Sequence, residues 1–370
     1  MADNKDKKVL NVPALRFPEF TGEWERHKLS EVCSFYSGGT PSSSKKEYYN
    51  GNIPFIRSGE LHKDYTELFI TEAGLSNSAA KLVETGDLLL ALYGATSGDI
   101  AISKIKGAIN QAILCIRTKQ NKKFIESVWN KHVERLLQTY LQGGQGNLSA
   151  DIVKNIPFYF ANSNEQDKLA KFISLLDERI ATQNKIIEKL ETLIKGIIET
   201  VISSQKPNTL IKNCLECNSS TLQESHVADT GTFSVYGATG ISGYTETADI
   251  NGESILIIKD GSSVGIVKFV TGEYSYIGTL NSLIAKDGYC LKYIYFALQR
   301  FSFEPYKTGM AIPHIYFKDY GKAKIYCPSL SLQTLIAQKL SLIENKMEVE
   351  KRIILCYQLQ KSYLLSRMFI

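Results

Sequence analysis

The feature that most constrains this chain is an apolar seam of 3.5-residue period that occurs twice, 167 residues apart. From Leu169, alternate steps of four and three residues reach Ile173, Leu176, Ile180, Gln183, Ile187, Leu190, Ile194, Ile197 and Val201, nine of the ten apolar. The same steps 167 residues on reach Ile336, Leu340, Ile343, Met347, Glu350, Ile354, Tyr357, Lys361, Leu364 and Met368, eight of the ten apolar. That period belongs to a helix packed lengthwise on another helix. Gln166/Gln333, Ala170/Ala337, Ser174/Ser341, Leu175/Leu342, Ile186/Ile353 and Ile187/Ile354 are identical pairs at this offset, and the polar interruptions Gln183 and Glu350 coincide. The plainer reading of each seam is generic core packing in one α-rich domain. A register sustained over about five heptads argues against it.

A chain of 370 residues exceeds what one hydrophobic core supports, and the segment before each seam repeats too. Residues 1–20 read as an arm interrupted by Pro13 and Pro18. Then follow Ile53-Pro54-Phe55-Ile56, where Pro54 points to an edge or a strand start, a buried strand over 87–93 ending in Gly94–Gly98, and a single strand over 108–116. A helical period over 124–140 and the glycine-rich loop 143–147 complete the domain. After the break at Ser203–Asn208, a strand over 254–259 ends in Gly261–Gly265, the strand 279–284 and the helix 291–300 follow, and 309–313 is the counterpart loop. The expected fold is α+β: two mixed α/β domains separated by two long antiparallel, coiled-coil-like helices in a pseudo-two-fold duplicated chain. The expected boundaries are 1–160, 161–205, 206–330 and 331–370. A helix of about 38 residues is roughly 57 Å long. The second can bury its seam near the first only by running back, which places its end beside the N-terminal arm.

Other chemistry has little foothold. No apolar run reaches about 18 residues, so no membrane span is expected, and the N-terminal residues have no signal-type apolar core. The expected location is the cytoplasm. Seven scattered cysteines argue against a disulfide framework, Cys214-Leu-Glu-Cys217 reads as a free-thiol loop, and the five histidines form no paired spacing. No metal site is expected. The net charge of +5 is compatible with a polyanionic partner. The first seam helix is balanced, with seven acids and six bases, while the second has three acids and six bases.

The chain resembles the specificity subunits of type I restriction–modification systems over nearly its whole length. The resemblance lies in Val12-Pro13-Ala14-Leu15-Arg16-Phe17-Pro18 with Trp24 and Lys28-Leu29, in Ile53–Ile56 with Gly59, and in Gly86-Asp87-Leu88-Leu89 leading to Gly94–Gly98. Asn110-Gln111, Gly146-Asn147-Leu148-Ser149 before Glu165-Gln166, and Tyr236-Gly237-Ala238-Thr239-Gly240-Ile241-Ser242-Gly243-Tyr244 add to it, and the duplicated domain–helix order carries most weight. Departures are Leu332-Gln333 in place of Glu-Gln, and Ser254 where Gly-Asp is expected. The resemblance implies two target-recognition domains, each reading half of a bipartite double-stranded DNA target, with the helices as a spacer. It also implies two methyltransferase subunits acting on adenine N6, joined by two restriction subunits. S-adenosylmethionine, ATP and Mg²⁺ would sit on those partners and no cofactor on this chain.

The residues agree that catalysis lies elsewhere. Asn52–Phe55 and Asn155–Phe158 approximate an amino-methyltransferase motif, but Ile replaces its first Pro, and both read as strand residues. There is no phosphate loop, and Glu344-Asn345-Lys346 reads as solvated helix flank. Base and phosphate contacts require Lys, Arg, Asn, Gln, Ser and Thr. The candidates are Lys45, Lys46, Arg57, Ser58, Tyr93, Thr96, Ser97 and Gln145 in the first domain, and Tyr236, Lys259, Ser262, Ser263, Lys307 and His314 in the second. For each lysine the alternative is a solvated charge, for each tyrosine core packing, and for the paired glycines plain turns. Two rivals stand beside the recognition reading: a self-contained DNA methyltransferase or nuclease, and a coiled-coil protein scaffold.

Overall fold

The computed structural model describes residues 10–140 and 148–370. The chain divides into two compact units, Met1–Gln183 with Ile353–Ile370, and Asn184–Arg352.

The first unit holds β1 (Glu25–Lys28), α1 (Leu29–Val32), β2 (Cys33–Ser37), β3 (Tyr49–Ile56), β4 (Phe69–Ile70), α2 (Glu72–Ser76), β5 (Lys81–Val83) and β6 (Leu88–Ala91). It continues through β7 (Ile100–Ile102), β8 (Gly107–Ile109), β9 (Ile113–Thr118), α3 (Lys122–Tyr140), α4 (Ala150–Asn155) and β10 (Pro157–Phe160) into the long helix α5 (Ser163–Ile198). The sheets are two four-stranded ones, ordered β2-β9-β6-β7 and β4-β3-β8-β5, and a separate short β1-β10 pair. The amphipathic α3 packs Phe124, Val128 and Trp129 into a core with Leu88, Leu90, Phe158 and Phe160.

The second unit starts with β11 (Thr209–Leu210), α6 (Ile211–Cys214), β12 (Leu215–Ser219), β13 (Phe233–Gly237), β14 (Gly240–Thr245), β15 (Ile250–Ile258), β16 (Val267–Tyr276) and β17 (Leu280–Ala285). Then come α7 (Leu291–Gln299), α8 (Phe317–Tyr320), β18 (Lys324–Ile325) and the second long helix, α9 (Leu330–Met368). One six-stranded sheet, β12-β17-β15-β16-β13-β14, replaces the two sheets of the first unit, because β16 runs through the positions that β7 and β8 occupy separately.

The duplication holds at the level of single hydrogen bonds. Gly98 N donates to Ala91 O and Gly265 N to Ile258 O, each at 2.9 Å. Leu92 N→Ala112 O (2.8 Å) matches Lys259 N→Thr279 O (3.0 Å), and Leu148 N→Leu92 O (3.0 Å) matches Ile315 N→Lys259 O (2.9 Å). At the heads of the long helices, buried Gln166 donates to Ala161 O at 2.7 Å and accepts from Asn121 N at 3.2 Å. Gln333 repeats this with Pro328 O at 2.8 Å and Cys290 N at 3.0 Å. Every pair except the last donor is separated by 167 residues.

Within each unit one half of each seam is buried. In the first, Leu169, Ile173 and Leu176 of α5 share a core with Leu364 and Met368 of α9, and Leu15 N donates to Arg367 O at 2.9 Å, so the arm and the end of α9 meet as expected. In the second, Ile194 joins Ile336, Leu340, Ile343 and Met347. Gln183 and Glu350 are each buried.

Several expectations are corrected. Val201 is 37% exposed, and the seam passes instead through Ile194, Ile198 and Ile202. A helix of 3.6 residues per turn drifts from a 3.5 repeat by about 20° per heptad. Pro54 lies inside β3, an interior strand, and tolerates it because pairing with β8 begins only at Phe55. The single strand expected over 108–116 is two strands in two sheets, turned at Asn110, whose Oδ1 accepts from Ala112 N at 3.1 Å. Cys214 and Cys217 are free thiols on α6 and β12 rather than a loop. Glu344 is no solvated flank charge: its carboxylate lies 2.8 Å from Lys292 Nζ and is 21% exposed.

Candidate nucleic-acid interface

Strand register gathers most candidates of the first unit on one rim. β3 and β8 are parallel and end side by side at Ile56 and Ile109. The antiparallel pair β6–β9 has Ala91 opposite Ile113 at the same turn. Arg57, Ser58, Tyr93 and the turn 110–112 therefore leave the sheets together. Ser97 Oγ donates to Leu92 O at 3.0 Å, folding Thr96 and Ser97 back onto this rim. The turn needs Gly94 at φ +78° and Gly98 at φ +88°, values L side chains resist. Lys45 and Lys46 precede β3 while Arg57 follows it, so eight residues of strand separate them. Lys45 Nζ donates to Tyr48 Oη at 2.9 Å, and Lys46 is exposed. Gln145 lies outside the described residues.

Three further groups join this rim without having been singled out. Thr40 Oγ1 donates to Gln111 Oε1 at 2.6 Å. His62 Nε2 lies 2.8 Å from Asp99 Oδ1, tying the segment after Arg57 to the glycine turn. Asp99 as hydrogen-bond acceptor holds the His62 imidazolium above the ordinary histidine range. Glu60 is buried and takes Arg57 in a side-on pair. Burial pushes its carboxyl up, but the side-chain and backbone donors of Arg57, with Thr66, outweigh that and keep it ionised.

The second unit builds the corresponding rim. β13 runs parallel to β16 and ends with Tyr236 opposite Tyr276, while Ile258 stands opposite Leu280. Tyr236 is half-buried, edge-on to Tyr274 at 5.5 Å, with Lys268 Nζ 4.6 Å above its ring. The turn after Ile258 carries Lys259, and then Ser262 and Ser263 between Gly261 (φ +102°) and Gly265 (φ +93°). It is zipped to the hairpin bearing Lys307 and His314 by Gly261 N→Pro313 O and Ile315 N→Lys259 O, each at 2.9 Å, and reciprocal Thr308–His314 bonds close the hairpin itself. Lys259 pairs with Asp260 at 2.6 Å and Lys307 with Glu304. Between them, Met310 and Ile312 stand exposed at the hairpin tip.

Apart from the rims, the first unit has a cleft of about 760 Å³ lined by Arg26, Lys131, His132 and Arg135. His132 Nε2 lies 2.8 Å from Ile370 O, and burial pushes its pKa down. Arg26 sits on β1, and Lys131, His132 and Arg135 on α3, whose sequence shows only a helical period. Among the described residues no group of three His, Cys, Asp or Glu side chains is placed to hold a metal, and no helix is long and apolar enough to cross a membrane.

A family model described as the type I restriction modification DNA specificity domain matches residues 21–192 and again 211–355. The chain is similar to the type I restriction enzyme MjaVIII specificity subunit of Methanocaldococcus jannaschii, 24% identical over 204 residues, covering 54% of this chain and 46% of the relative. It is also similar to the EcoR124I/EcoR124II specificity subunit of Escherichia coli, 27% identical over 187 residues, covering 48% and 45%. The chain thus spans about half the length of these curated relatives. In fold it is similar to the crystal structure of a type I restriction–modification S subunit from M. genitalium, with TM-score 0.69 and 17% identity over 97% of this chain and 99% of that one.

Proposed function

The chain belongs to the type I restriction–modification DNA specificity family, whose members are recognition subunits rather than catalysts, and from that we propose that its two units each read one half of a bipartite double-stranded DNA target. The observation that carries this reading is the pair of rims, matched bond for bond yet bearing different side chains. A duplicated scaffold with diverged surfaces is what reading two unlike half-sites requires. In this reading 1–160 and 206–330 are the target-recognition domains, and 161–205 and 331–370 are spacer helices.

The reading assigns adenine N6 methylation to two partner methyltransferase subunits and cleavage to two restriction subunits, with S-adenosylmethionine, ATP and Mg²⁺ on those partners, in the cytoplasm. Leu335, Leu342 and Val349, spaced by seven on α9 and each about half exposed, supply an apolar stripe for partner helices.

The test is a footprint of the chain with its methyltransferase partner on genomic DNA, expected to show two protected half-sites at one separation. Protection of no DNA would favour a protein scaffold, and methyl transfer by the chain alone would overturn the division of labour. Seven residues inserted after Ile187, matched by seven in α9, lengthen the helices by about 10.5 Å, or roughly three base pairs at 3.4 Å. The gap should widen by that amount with both half-site sequences kept. Exchanging 206–330 for a relative's segment should change one half-site only.

A further inference from the structure

We infer that Arg57 reads a guanine in the first half-site and that Glu60 is the positioning residue that aims its guanidinium, an inference that rests on the recognition role proposed above. Arg57 follows the last residue of an interior strand, and its side chain is 47% exposed while that of Glu60 is 4% exposed. Glu60 Oε2 accepts from the Arg57 backbone N at 3.1 Å and from Nε at 3.3 Å, and Oε1 accepts from Nη2 at 2.7 Å. The buried Thr66 hydroxyl lies 3.0 Å from Glu60 Oε2, which fixes the carboxylate in turn. One edge of the guanidinium is thereby locked to the protein, and the opposite edge, Nη1 with the outward N–H of Nη2, meets a ligand when the exposed Glu67 carboxylate, 3.3 Å away, gives place to it.

The charge around this fork decides what it meets. Glu67 Oε2 also lies within 3.3 Å of Nη2, so two carboxylates flank one cation. A phosphate would face net negative charge there. A guanine edge is neutral and offers O6 and N7 as paired acceptors, the match for a planar, preorganised donor fork.

The second unit supplies an independent argument. The register Phe55–Ala108 and Ile56–Ile109 reappears as Val235–Ser275 and Tyr236–Tyr276, which places Gly237 where the first unit has Arg57. There the chain turns through Ala238 and Thr239 into β14 with no charged side chain. The backbone bonds of the neighbouring glycine turns, such as Gly98 N→Ala91 O and Gly265 N→Ile258 O, are retained. The copies therefore differ where unlike half-sites demand a difference.

The experiment is selection from a duplex library randomised in both half-sites, using the full chain with its methyltransferase partner, followed by sequencing. Wild type should select guanine at one position of the first half-site. Arg57→Lys keeps the charge but loses the fork, and should relax that position alone, discrimination falling about 5- to 150-fold. Glu60→Gln should relax the same position more weakly, with the slope of log affinity against log salt unchanged. Melting curves separate these effects from unfolding, and Arg57→Lys serves where Glu60→Gln melts early. Two half-sites selected identically by wild type and Arg57→Lys would overturn the inference and leave the recognition role standing. A uniform loss of affinity with a salt slope smaller by about one would also overturn it, marking Arg57 as a phosphate contact. No sequence selected by wild type would overturn both.

Discussion

Arg16 holds Glu165 side-on, with Nε 2.8 Å from Oε1 and Nη2 2.7 Å from Oε2, and so clamps the N-terminal arm over the first turn of α5. The carboxylate is almost wholly buried. Removing one partner of such a pair strands a buried charge. Arg16→Ala is expected to destabilise the first unit by roughly 3 kcal/mol. The equivalent position in the second unit is Leu332, so Arg16→Met with Glu165→Leu should recover most of that loss. Denaturant unfolding of both variants checks this, and a double variant no better than the single one would refute it.

The two buried glutamines make a paired prediction. Truncating Gln166 leaves the Asn121 N–H without its acceptor, and truncating Gln333 does the same to Cys290 N–H. Each alanine variant is expected to cost about 1–3 kcal/mol. Hydrogen exchange should quicken at Asn121 in one and at Cys290 in the other. Exchange altered at neither amide would count against the glutamines as the acceptors of these two N–H groups.

The glycine turns separate strain from crowding. At Gly94 an added Cβ meets nothing within 4 Å, so Gly94→Ala carries only the positive-φ cost of about 1–2 kcal/mol. At Gly98 it would lie 2.9 Å from Val133 Cγ2 and 3.1 Å from Leu137 Cδ2. Gly98→Ala should therefore melt lower than Gly94→Ala, and Gly265→Ala should behave like Gly98→Ala because Phe303 crowds it at 3.0 Å. Thermal melts rank the three.

His62 gives the first rim a pH dependence. Its folded pKa is raised by Asp99, so the tie to the glycine turn is fully present below the ordinary histidine value near 6.5 and is lost as pH rises through the raised one. An NMR titration should place the His62 midpoint above that value, and Asp99→Asn should bring it down. An unshifted wild-type midpoint would rule the tie out.

How much of this was legible beforehand varies by element. The long helices, their antiparallel halves and the repeated order were readable because a 3.5-residue period and a 167-residue offset are local counts. The paired glycines were readable as turns because only glycine takes those φ values cheaply. The break at Asn110 was not, since the polar Asn110-Gln111 pair within an otherwise apolar Ala108–Ile116 fits a single strand as well, and only the Asx turn of Asn110 onto Ala112 N separates the two readings. Nor was Val201's exposure, because helical drift accumulates along the chain and appears only once packing is known. The spacing of Leu335, Leu342 and Val349 was present in the sequence but outweighed by the stronger seam beside it.

The candidate rims divide along the same line. Residue type singled out Arg57, Tyr93, Tyr236 and Lys259. Their gathering by strand register, with Thr40 and His62 drawn in from distant segments, is a property of the sheets. What the sequence determined by itself is the duplicated architecture, because periodicity and repetition are written along the chain. Which side chains share a rim, and that Arg57 is held by a buried carboxylate, only the tertiary structure decided, because those neighbours are set by pairing across the sheets and by burial.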